Sequence, residues 1–94
     1  RVETAVEIIA KKMYHRGDRA TARDLFDLAL VVEREPQQLL GATPFLLHHR
    51  EAFLSQIRQP HPGLLVAFDA IAVLDYTPAF DHCITVVGRF LDSL

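Results

Sequence analysis

Apolar residues recur every three to four positions along nearly all of this 94-residue chain, and no apolar–polar alternation runs beyond three or four residues. A period near 3.6 buries one stripe of a helix, whereas a half-buried strand needs a period of two. The pattern therefore directs the chain to an all-α fold. Val2, Ala5, Val6, Ile9, Ala10 and Met13 form the first stripe, which stops near His15–Gly17. A polar loop follows, and Thr21 then offers a capping hydroxyl with Asp24 three residues on. Leu25, Leu28, Ala29 and Val32 make the second stripe, and Pro36 ends it or starts a short helix through Leu40.

Two later segments share a Thr-Pro start, Thr43-Pro44 and Thr77-Pro78. A capping hydroxyl before a proline at the first helical position suits both, so helices are expected from Phe45 to about Arg58 and from Phe80 to Leu94. Between them, after Gln59–Gly63, come Leu64, Leu65, Phe68, Ile71 and Ala72. The expected architecture is a single small bundle of five or six helices with short connections, one domain over residues 1–94. The pair of Thr-Pro starts reads as common helix-start grammar rather than as a repeat.

Length and composition exclude much else. Half of the residues are hydrophobic, glycine is scarce, and the longest unbroken apolar runs are five residues against the roughly 20 of a bilayer span. No membrane partner is expected, and a reduced cytoplasmic setting is the default. The single cysteine, Cys83, excludes an internal disulfide and sits on the apolar stripe of the last helix, where a buried structural thiol is expected. His48-His49 with Glu51, and Asp81-His82-Cys83, lack the spacing of a metal cluster, so no metal site is expected. The chain opens on Arg1 and enters a helical pattern almost at once, which reads as a fragment or processed product of a larger protein.

The net charge of −2 hides an asymmetry. Residues 1–24 hold six of the ten basic residues against four acids, and residues 25–94 hold the other four against eight. The end of the first helix, the loop and the start of the second therefore form a basic corner. Helix N-termini add to it through unpaired N–H groups and the macrodipole. A solvated face with i,i+4 pairs, such as Glu7–Lys11 and Arg23–Asp27, is the plain structural reading.

At this corner the residues become specific. Glu7-Ile-Ile-Ala-Lys-Lys12-Met, a basic loop with Arg16-Gly-Asp-Arg19, then Ala22-Arg23-Asp24-Leu-Phe-Asp27-Leu resemble the late motifs of the AbiEii/AbiGii nucleotidyltransferase family of abortive-infection or type IV toxins. The likeness covers about residues 3–32. It implies that Lys12 contacts nucleotide phosphates, with Lys11 standing where the family usually has Glu. It places Arg23 beside the substrate and gives a catalytic role to an acidic residue, with Asp24 favoured and Asp27 second. Nucleotidyl transfer needs carboxylates for Mg²⁺ and cations to offset triphosphate charge.

The family's first motifs, a Gly-Ser followed by an Asp-x-Asp pair, are absent from these 94 residues. The resemblance therefore implies the C-terminal helical part of a nucleotidyltransferase. Mg²⁺ and a nucleoside triphosphate would be used by the full-length protein, with no cofactor and no activity in this stretch alone. The implied partners are the N-terminal nucleotidyltransferase domain of the same protein, an antitoxin, and an RNA or tRNA end as acceptor. The rival reading is a non-catalytic interaction or homodimerisation module, using the sparsely polar stretch Leu64 to Leu74.

Overall fold

The computed structural model describes residues 4–16, 19, 21–71 and 80–94. Within them the chain forms seven helices: α1 (Ala5–Arg16), α2 (Ala22–Arg34), α3 (Pro36–Leu40), α4 (Thr43–Leu47), α5 (Arg50–Arg58), α6 (Pro62–Asp69) and α7 (Phe80–Asp92). There is no strand among the described residues, and no helix among them is long and apolar enough to cross a membrane.

Side-chain caps fix three of the starts. At α1, the Thr4 hydroxyl accepts from the Glu7 N–H at 3.1 Å while Glu7 Oε1 faces the Thr4 N–H at 3.5 Å, a reciprocal capping box. At α2, Thr21 accepts from the Asp24 N–H at 3.1 Å, as the sequence led us to expect. Pro36 opens a short helix of its own. At α6, His61 Nδ1 accepts from the Leu64 N–H at 3.0 Å with Pro62 at the first position.

Two expectations change in the middle of the chain. Thr43 does not cap α4: it is the first helical residue, and its hydroxyl donates back to the Leu40 carbonyl at 2.5 Å, closing the end of α3. The single helix foreseen from Phe45 to Arg58 is broken at His48–His49, which takes the helix count past the expected five or six. The break has a packing reason. α4 lies on α1 and α5 lies on α7, and one straight helix could not serve both neighbours. Thr77-Pro78 and the end of the Leu64–Leu74 stretch fall outside the described residues. Of the rest of that stretch, Leu64 and Phe68 are buried while Leu65 and Val66 are exposed.

α2 is the hub. It packs against α1, α3, α6 and α7, and Leu25, Leu28 and Ala29 on its inner face are completely buried. Ile9 and Met13 of α1, Phe53 and Ile57 of α5, Leu39, Leu46, Cys83, Val87 and Leu91 pack into the same core. Each large side chain removed from water stabilises the fold by about 1.5–3 kcal/mol before its entropy cost. The Phe26 and Phe68 rings lie 6.4 Å apart, and Phe80 meets Phe68 edge-on at 5.1 Å, which ties α2, α6 and α7 together. At the far end, Arg50 donates to the Leu94 carbonyl at 3.1 Å, and Arg58 pairs with Asp92 at 2.7 Å.

Candidate functional site

The first two helices run antiparallel, because ascending residues of α1 meet descending residues of α2. Ala5, Ile8 and Ile9 share a cleft with Leu30 and Val31, Lys12 meets Asp27, and Arg16 meets Asp24. Amphipathic stripes on both helices force this contact, and the short loop leaves little freedom in its register.

All four side chains singled out from the sequence come together here. Lys12 Nζ lies 3.4 Å from Asp27 Oδ2 and 3.8 Å from Asp24 Oδ1, bridging the two carboxylates. Arg23 Nε is 3.1 Å from Asp27 Oδ1 across one helical turn, and its guanidinium sits 5.6 Å from the centre of the Phe26 ring. The Arg23–Asp27 pair foreseen as a solvated i,i+4 contact thus exists, but its acid is shared with Lys12. Lys12 rather than Lys11 faces the carboxylates. Lys11 lines neighbouring surface clefts instead.

One member escaped the residue choice made from sequence. Arg16, the last residue of α1, donates to Asp24 Oδ1 at 2.9 Å. The available signal was its spacing of four from Lys12, which puts both cations on one face of α1. Asp24 is the one buried charged residue among those described, at 3% exposure. Its ion pairs and its position beside the Thr21 cap explain how a carboxylate is tolerated there. Asp27 keeps more contact with solvent and lies with Lys12 at the end of an apolar cleft of about 200 Å³ whose walls include Ile8, Ile9, Leu30 and Val31.

The charge balance decides what the cluster can hold. Two carboxylates are met by three cations, Lys12, Arg16 and Arg23, leaving the group net positive. Such a group favours an anion at its open side, and its carboxylates are poor donors for a divalent cation because each is already engaged by basic side chains. Among the described residues there is no group of three His, Cys, Asp or Glu side chains that could hold a metal ion. Cys83 is fully buried on α7, and burial, with Glu33 nearby, raises its pKa to about 11.

No curated protein and no solved structure matches the chain. The family of the nucleotidyl transferase AbiEii toxin, type IV toxin–antitoxin system, matches residues 1–86. With nearly the whole chain matched and the residues of both late motifs gathered at one helix pair, this chain belongs to the AbiEii nucleotidyl transferase toxin family.

Proposed function

We propose that this chain is the helical part of a nucleotidyl-transfer site, and that the α1–α2 cluster is its share of the cleft. The observation that carries the reading is Lys12, held between Asp24 and Asp27 at the end of the apolar cleft. Lys12 and Arg23 contact the triphosphate and offset the charge that builds up in transfer. Asp27, at the cleft, is the carboxylate placed to meet the substrate. Asp24, buried, acts through the cations it holds in register.

Mg²⁺ does not fit this cluster, whose carboxylates are already matched by Lys12, Arg16 and Arg23. The metal site belongs to the Gly-Ser and Asp-x-Asp motifs, which these residues lack. The working unit is therefore this domain together with an N-terminal nucleotidyltransferase domain of the same protein, in the cytoplasm. An antitoxin is its protein partner and an RNA or tRNA end its acceptor.

The test is incorporation of labelled nucleotide into RNA by the full-length protein. Lys12→Ala and Arg23→Ala should each lower the rate by about 10²–10³-fold, the scale of losing one charge-stabilising donor. The 94 residues alone should give no incorporation. Turnover by this stretch alone, or full activity of Lys12→Ala, overturns the reading.

A further inference from the structure

On a different face of α1 from the carboxylate cluster, α1 and α4 carry an aromatic group that the proposed transfer site does not use. Tyr14 stacks on His48 with ring centres 4.6 Å apart and planes 24° from parallel. Phe45 meets Tyr14 edge-on at 5.7 Å, and His15 meets it at 5.1 Å. These rings are not core: Tyr14 is 40% and Phe45 47% exposed, and His15 and His48 are exposed as well. Core packing therefore does not explain them.

The chemistry beside the rings is cationic. Lys11, Lys12, His15 and Arg16 line one open cleft, and Lys11 also lines a second with Phe45. In a chain of net charge −2 this pairing of exposed rings with clustered cations is local, not a reflection of the whole. Exposed π faces with cations at the spacing of a helical turn suit unpaired nucleotides, whose bases stack while their phosphates meet the cations. A duplex hides its base faces in the stack and leaves phosphates and groove edges, with no face for a ring to stack on.

We infer that Tyr14, Phe45 and His48, with Lys11 and Arg16, form a binding platform for an unpaired nucleic-acid strand. The platform deepens the proposed function by placing the acceptor strand on α1 and α4, joined to Lys12 by the open cleft that Lys11, His15 and Arg16 share with it. It rests on that reading only for the strand's part in the reaction.

Binding is measured by fluorescence anisotropy with a labelled oligonucleotide of about 10 nucleotides, without nucleotide or metal. Unpaired RNA should bind and the duplex of the same sequence should bind at least about tenfold more weakly. Unpaired DNA of that sequence separates the sources: equal affinity assigns the contact to bases and phosphates, and an RNA preference adds the ribose hydroxyl. Tyr14→Ala and Phe45→Ala should each weaken binding by about 5- to 100-fold, while Tyr14→Phe keeps it. Lys11→Ala should flatten the salt dependence.

Circular dichroism checks that the variants fold. Quenching of tyrosine fluorescence in Tyr76→Phe, where Tyr14 is the one tyrosine left in these 94 residues, titrated with unlabelled strand, reports stacking with the platform itself unaltered. Equal affinity for duplex and unpaired strand, or unchanged affinity in both alanine variants, overturns the platform. Binding that persists in a full-length protein shown to lack transfer activity defeats the transfer reading and leaves the platform standing. Transfer activity without binding of an unpaired strand does the reverse.

Discussion

The Arg16 guanidinium reaches across the α1–α2 connection to Asp24, 2.9 Å from Oδ1, and so joins the end of one helix to the first turn of the next. The acid is buried while the base is close to half exposed, so the pair is only partly shielded from solvent. A double-mutant cycle of Arg16→Gln and Asp24→Asn, read by urea unfolding, should give a coupling of about 0.5–1 kcal/mol that shrinks at high salt. Strict additivity of the two substitutions would show the contact to be energetically idle.

Thr21 holds the first turn of α2 through the Asp24 N–H. Thr21→Ala should destabilise the fold by about 1 kcal/mol. In a domain of this size that is a fall in Tm of about 4–8 °C, with Thr21→Ser nearly neutral. An unchanged melting curve for the alanine variant would remove the cap from the account of how Asp24 is positioned.

The Cys83 thiol, pushed up to about 11 by burial, should resist alkylation at neutral pH in the folded protein and react only on unfolding. The sign for stability follows from the folded state holding its proton longer than the unfolded chain. The stabilisation is fully present below the ordinary thiol range near 9 and is lost as pH rises from there through about 11. Unfolding curves between pH 8 and 11 should therefore fall more steeply for the parent than for Cys83→Ala (the window follows from the same shift).

Gly88 lies buried in α7, where a Cβ would stand 3.1 Å from Arg58 Nη2, the far end of a flexible side chain. Gly88→Ala gains about 0.5–1 kcal/mol of helix propensity and asks only that the guanidinium shift, loosening an exposed pair with Asp92. The variant should be equal to or slightly more stable than the parent by denaturant titration. A loss above about 1 kcal/mol would mean that Arg58 cannot move aside.

Where a stripe was long and unbroken, as from Val6 to Met13, from Leu25 to Val32 and from Cys83 to Leu91, the helix was legible in the residues. The break at His48–His49 was not, since no glycine or proline marks it and its cause is the separate packing of α4 on α1 and α5 on α7. Thr43 shows the same limit: its residue type announces a cap, but which helix it serves depends on how closely α3 precedes it. At the site, the motifs brought Lys12, Arg23, Asp24 and Asp27 forward. Arg16 stayed hidden because its partner lies across a loop, where only the register of two helices decides who meets whom.

α2 is both the carrier of Asp24 and Asp27 and the element on which α3, α6 and α7 rest. The acids are thus bolted to the chassis, and the cations of α1 are the movable jaw: any opening of this cleft short of unfolding must lift α1. Lys12 and Arg16 would then leave together, stripping Asp24 of both its cations in a single motion while Asp27 keeps Arg23 of its own helix.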